Sequence, residues 1–241
     1  MDLEIGIGSY VGIVGPNGAG KTTLAYILAG ILTPDSGMVD THGLRVGLVL
    51  SNPQNQIVSL VVEEDIAFGP ENMGLSSKEI ASRIEYALCQ THSQDLRDAM
   101  TSGISGGQLA KVVFSGQLAM DTDVFVLDEG TVMLDPVNRR ILLDTVCELN
   151  EVFGKTIIHI THRLDDLERA DTLITLVDTR IHHHAHGTYS LFESGGLPRG
   201  VEAGSVLKYR RFLRGHGIDE GDLKAATGSI ARLMSLGGTH K

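Results

Sequence analysis

At 241 residues the chain is long enough for one large α/β domain and a short appendage. Its formal charge of −10 argues against nucleic acid or an anionic lipid surface as a partner, since both attract a positive face. The 42% hydrophobic and 21% charged residues are those of an ordinary folded protein, while 29 glycines exceed the usual share of roughly seven in a hundred and predict turns or phosphate loops. No apolar run nears the roughly 20 residues of a spanning helix; the longest candidate is 24–32. The acidic start Met1-Asp2-Leu3-Glu4 does not read as a secretory signal. The expectation is a cytoplasmic protein whose membrane contact runs through protein. Cys89 and Cys147 fall in segments with helical apolar spacing and read as reduced core residues.

In chain order, the first buried strand signal is 11–14. It leads into Gly15-Pro16-Asn17-Gly18-Ala19-Gly20-Lys21-Thr22 and a helical pattern over 23–29, the context a phosphate-binding loop requires. Glycines let backbone amides converge on phosphates, Lys21 neutralises β and γ oxygens, and Thr22 can ligate Mg²⁺. Gly15, Asn17, Gly18, Ala19, Gly20, Lys21, Thr22 and Thr23 are therefore the expected nucleotide-binding set.

A second strand signal covers 46–50. Ser76 and Glu79 match a capping box, followed by Ile80, Ile84, Ala87 and Leu88 on one helical face. Ser105-Gly106-Gly107-Gln108 then opens a helix whose apolar face is Leu109, Val112, Val113 and Gly116. The serine and the amides of this turn form a second anion site at a helix N-terminus. A chain that already holds one complete phosphate loop needs no second one for the same nucleotide, so this turn is expected to serve a nucleotide held by another subunit. Region 55–120 reads as a helical insertion between strands.

The run 124–127 continues into Asp128-Glu129 at the carboxyl edge of the sheet, where the phosphate loop also sits. Asp128 is the expected Mg²⁺ ligand, and Glu129 the carboxylate that polarises a water for attack on the γ-phosphate. Runs 156–160 and 172–177 complete a mainly parallel sheet. His182-His183-His184-Ala185-His186 could suggest a metal site, but a solvated tract is the preferred reading. From 188 onward the strand signals fade, and 208–214 is basic and amphipathic. The division is an ATPase domain over 1–187 and an extension over 188–241.

The order of these motifs resembles the ABC transporter ATPases: a phosphate loop, Ser105 to Gln108, and Asp128-Glu129, over nearly the whole chain to about residue 187. The resemblance implies a P-loop NTPase fold of RecA-like, mainly parallel type with an inserted helical subdomain. It implies Mg²⁺ and ATP as ligands and two subunits sandwiching two ATP molecules head to tail. Asp135, in Leu134-Asp135-Pro136, would communicate across the dimer, and His162, after Thr161, would contact the γ-phosphate. Lys21, Glu129 and His162 are then the catalytic set.

A narrower resemblance, to the energy-coupling factor ATPases, lies in Asn52-Pro53-Gln54-Asn55-Gln56 and in residues 62–75. It implies uptake of a vitamin or of cobalt or nickel ions, with a transmembrane coupling protein and a substrate-binding membrane subunit as partners. The segment would form the groove for coupling helices, and the C-terminal extension would help pair the ATPases.

The chain departs from that family at Ser51, where glutamine is usual, at Gly130, where proline is usual, and at Ala110-Lys111, where glutamine and arginine are usual. The family also has further strands and an adenine-stacking aromatic before the phosphate loop. Tyr10, the only aromatic there, lies too close to the loop for that role, so weak discrimination among purines and an unpaired sheet edge are expected. Two rival readings are a low-turnover partner of an active homologue, favoured by Ser51, and a DNA-repair ATPase, opposed by the absence of a DNA-binding insertion and of a basic surface.

Overall fold

The computed structural model describes residues 2–177, 180–184 and 201. Six strands form one sheet in the order β2-β3-β4-β1-β5-β6. They are β1 (Tyr10–Val14), β2 (Val46–Leu50), β3 (Val124–Asp128), β4 (Thr156–Ile160), β5 (Thr172–Val177) and β6 (Arg180–His184). The first five pair in parallel, and β6 runs antiparallel along β5. All five strand signals in the sequence are thus realised. The sixth strand was missed because its Arg-Ile-His-His-His composition carries little apolar signal.

The strands β1, β3 and β4 are buried throughout, and the two-residue alternation sends their side chains to two separate cores. Val11, Ile13, Val124, Val126, Ile158 and Ile160 meet Leu24 and Ala25 of α1 (Lys21–Leu28) on one face. Tyr10, Phe125, Leu127 and Ile157 face the other core, shared with α2 (Val62–Asn72), α3 (Ser77–Gln90), α4 (Gly106–Ala119) and α5 (Pro136–Glu151). The inserted helices therefore rest on the same core as the sheet.

Three details differ from the sequence reading. The first helix opens at Lys21, two residues before its predicted start. α4 buries Lys111, Phe114 and Ser115, because α3 covers its other side, as well as Leu109, Val112 and Val113 of the predicted face, while Gly116 is half-buried; the Ser115 and Thr91 hydroxyls lie 2.8 Å apart between the two helices. Cys89 is exposed and only Cys147 is buried, although both are free thiols. Cys89 lies on α3, whose buried residues are Ile84, Ala87 and Leu88, so the next position along falls outside that stripe.

β1 lies inside the sheet, enclosed by β4 and β5, and the strands at the two ends of the order are β2 and β6. The outer edge of β2 is closed locally by Gln56, which accepts from the Leu50 amide at 2.7 Å and donates to the Leu48 carbonyl at 2.8 Å. No helix among the described residues is long and apolar enough to cross a membrane. The 208–214 segment, His186 and nearly all of 188–241 lie outside the described residues.

Candidate functional site

Parallel pairing brings the carboxyl ends of β1, β4 and β3 side by side, and each end carries one part of the predicted site. After Val14 the chain turns through Gly15 to Gly20 into α1. A Cβ on Gly15 would lie 2.2 Å from the Leu176 carbonyl oxygen, so only glycine lets the loop leave the sheet here. Gly18 and Gly20 have φ of 81° and 94°, left-handed values that glycine adopts without strain, and α1 begins with no side-chain cap on its first turn. Asn17 and Gly18 are exposed, Ala19 is buried, and Thr22 and Thr23 stand exposed at the helix start. Lys21 is buried and folds over the loop, its Nζ donating to the Gly15 and Pro16 carbonyls at 2.9 and 3.0 Å.

At the end of β3, Asp128 is 4% exposed. Burial raises its pKa, opposed by a hydrogen bond with Thr22 and by the Lys21 charge, while Glu129 pushes it up further. A buried carboxylate beside a threonine hydroxyl is a hard oxygen donor set of the kind that suits Mg²⁺, so these residues fit the ion the sequence implied.

Glu129 takes a left-handed backbone, φ 54°, uncommon for a non-glycine residue. Its amide bonds to the Ile160 carbonyl at 2.9 Å, which locks the loop after β3 onto the end of β4. That lock brings Glu129 and His162 together, with Nδ1 of the histidine 3.3 Å from Oε1 of the carboxylate and both side chains about a quarter exposed. One residue behind Gly130, the Thr131 hydroxyl donates to Asp166 at 2.9 Å, and both are buried. Thr131 and Asp166 thus tie the Glu129 loop to the His162 loop. Sequence reasoning did not single them out; the one available signal was polar residues beside apolar ones next to motif positions.

The second anion turn is built differently. Ser105 caps α4, its hydroxyl accepting from the Gln108 amide at 3.3 Å, while Gln108 Oε1 accepts from the Ser105 amide at 2.8 Å. Ser105 and Gly106 are exposed; Gly107 and Gln108 are half-buried. Asp135 caps α5, accepting from the amides of Val137 and Asn138 at 2.9 and 3.1 Å, and its pKa is lowered, first by the Asn138 side chain. Val132, Met133 and Val137 expose apolar surface around it.

Two contacts bear on the departures at Ser51 and Tyr10. Gln56 is engaged by the β2 backbone and so is not the replacement for the glutamine that Ser51 lacks, and Gln54 is exposed on a short turn. Tyr10 is 1% exposed and its hydroxyl lies 3.0 Å from His159 Nδ1, so it is a core residue and not an adenine platform. His182 and His183 are exposed on the edge strand β6, where neighbours point to opposite faces, and the described residues contain no group of three or more His, Cys, Asp or Glu side chains placed to hold a metal ion.

A phosphate loop between a parallel strand and a helix, acids at the end of the next strand but one and an inserted helical layer opening on Ser-Gly-Gly-Gln define an ATP-binding cassette. The ABC transporter family model matches residues 1–132. The chain is 37% identical over 233 residues to the energy-coupling factor transporter ATP-binding protein EcfA1 of Caldanaerobacter subterraneus subsp. tengcongensis, covering 91% of this chain and 84% of that protein. It is 42% identical over 194 residues to the protein of the same name from Symbiobacterium thermophilum, covering 75% and 68%. Among solved structures it resembles cbiO1 of Clostridium perfringens, described as part of the ABC transporter complex cbiONQ. The TM-score is 0.70 at 31% identity, covering 81% of this chain and 83% of that one. The chain belongs to the ABC transporter ATP-binding proteins, in the group of energy-coupling factor ATPases.

Proposed function

We propose that this chain binds Mg²⁺·ATP on the Gly15–Thr23 segment and hydrolyses it to energise an importer of a vitamin or transition-metal ion. The observation that carries this reading is the convergence of Lys21, Asp128, Glu129 and His162 at three adjacent strand ends. Loop amides and Lys21 bind the phosphates; in doing so Lys21 exchanges its two loop carbonyls for phosphate oxygens. Thr22 and Asp128 would hold Mg²⁺, which supplies charge neutralisation of the phosphate oxygens. Glu129 accepts a hydrogen bond from the attacking water and aligns it, and His162, engaged at Nδ1 by Glu129, has Nε2 left for the γ-phosphate.

The Ser105–Gln108 turn closes over nucleotide bound by a second ATPase subunit, with Asp135 on the same face. Exposed Val132, Met133 and Val137 supply apolar area for that contact. Val58, Leu60 and Met100 expose a second apolar surface at the start of α2. The coupling helices of a membrane partner would seat there, and such docking would hold the protein peripherally on the cytoplasmic side. No nucleic-acid role is supported, given the charge of −10.

One observation favours a low-turnover partner subunit instead: Ser51 is too short, and Gln56 too firmly held, to complete the water-binding shell. Phosphate release from ATP by the purified chain, alone and assembled with its membrane subunits, separates the two. Mg²⁺-dependent turnover supports the first reading. Tight ATP binding without turnover in either preparation supports the second.

A further inference from the structure

Lys111 sits in the second turn of α4 and is 7% exposed, a rare burial for an ammonium group. Its Nζ donates to the His92 carbonyl at 2.7 Å and to Asn138 Oδ1 at 3.3 Å. His92 follows α3 in a left-handed conformation, φ 50°, an uncommon backbone state for a non-glycine residue. Asn138, in the first turn of α5, then passes its Nδ2 to Asp135 Oδ2. Only one orientation of the Asn138 amide serves both neighbours; the flipped amide would set its NH₂ against the ammonium and its oxygen against the carboxylate.

Close packing joins the same two helices a turn earlier. A Cβ on Gly107 would lie 3.2 Å from the Met133 carbonyl oxygen, so the Ser105–Gln108 turn rests directly on the segment that leads into Asp135. Burial pushes the Lys111 pKa down, whereas Asp95 and Asp135 oppose that shift. The buried cation thus faces two neutral oxygens at hydrogen-bond range and two carboxylates at longer range.

We propose that Lys111 is a positioning residue: acting through Asn138, it holds Asp135 in fixed relation to the Ser105–Gln108 turn, so that both surfaces meet the second subunit as one body. The proposal rests on the two-subunit reading for its effect on turnover, but its structural half does not. Without the lysine, Asn138 loses its fixed orientation, Asp135 loses one of three donors, and the α5 cap opens more often.

Amide exchange at Val137 and Asn138, measured on the full chain without nucleotide, reads that half directly. Lys111→Met should accelerate both amides about tenfold. It should also lower kcat for ATP about tenfold with KM within about twofold, since the Lys21 loop is untouched. Lys111→Arg keeps two donors within reach of His92 O and Asn138 Oδ1 and should restore both values. Asn138→Ala removes the middle link while leaving Lys111 its carbonyl partner, and should reproduce the Lys111→Met pattern in a chain that still folds. Parental exchange in Asn138→Ala and Lys111→Met would overturn the proposal, as would faster exchange with unchanged kcat. A parental chain without turnover would refute the hydrolytic reading, and the exchange result would still decide whether Lys111 positions Asp135.

Discussion

The helix after Gly20 and the helix after Ser105 both begin on glycine-rich turns, yet their first turns are finished in different ways. At α1 no side chain caps the exposed amides, the preceding glycine is left-handed, and the nearest cation, Lys21, is engaged with two loop carbonyls. At α4 Ser105 and Gln108 cap each other's backbone, so the turn is satisfied without a ligand. The first site is open in the isolated subunit. On the proposed reading the second would exchange the Ser105–Gln108 bond, about 1 kcal/mol, for a phosphate contact, and the charge of that ligand at a helix N-terminus would offset the loss. On that reading one chain thus offers a ready phosphate site and a latent one, which is the asymmetry expected if the second serves a nucleotide delivered by another subunit.

The sharpest way to break this contrast is Lys21→Met. At the open site it should weaken ATP binding by about a hundredfold, measured by calorimetry, because a buried counter-charge to the phosphates is lost. Equal affinity in the variant would remove the open site from the account. Gly107→Ala acts on the latent site alone: its Cβ presses on the Met133 carbonyl. Turnover should fall about tenfold while the affinity of the single chain for ATP stays within about twofold. Weakened binding to the isolated chain would show that the two sites are not separate.

A third variant, Ser105→Ala, should lower unfolding stability by about 1 kcal/mol through loss of the cap. If denaturant midpoints do not move, α4 is not closed by its own serine. The smallest effects are electrostatic and opposite in sign at the two sites. Burial raises the Asp128 pKa, so its contribution to stability is fully present below the ordinary carboxylate range and is lost as pH rises through the raised folded value. Asp128→Asn should therefore gain stability at neutral pH and lose that advantage in acid. Asn138 and two amides lower the Asp135 pKa, so its contribution is present at neutral pH and lost as pH falls through the lowered value. Asp135→Asn should be destabilised at neutral pH only. Parallel pH profiles for the two variants would contradict these assignments.

Much of this was legible in the sequence because the open site is contiguous: strand, loop and helix follow one another from Tyr10 to Leu28, and spacing alone reports the chemistry. Asp128 and Glu129 were equally plain as acids ending an apolar run. What sequence could not show lies in contacts across long separations. The Glu129–Ile160 lock, the Thr131–Asp166 bond and the Lys111–Asn138 link join segments that only folding brings together. Gln56 illustrates the same limit, since only the folded chain shows its side chain closing the edge of β2. Cys89 and the β6 strand were misjudged for a local reason: one residue's shift along a helix moves it out of the buried stripe, and a histidine-rich strand lacks apolar alternation.

The most direct test of the account is Glu129→Gln, with ATP affinity and single-turnover hydrolysis measured on the same preparation. The amide keeps the volume of the carboxylate but loses the basic oxygen that aligns water, so ATP affinity should stay within about twofold while hydrolysis falls at least about a hundredfold. Hydrolysis at the parental rate would contradict the assignment of Glu129 and, with it, the reading of the three strand ends as a hydrolytic site.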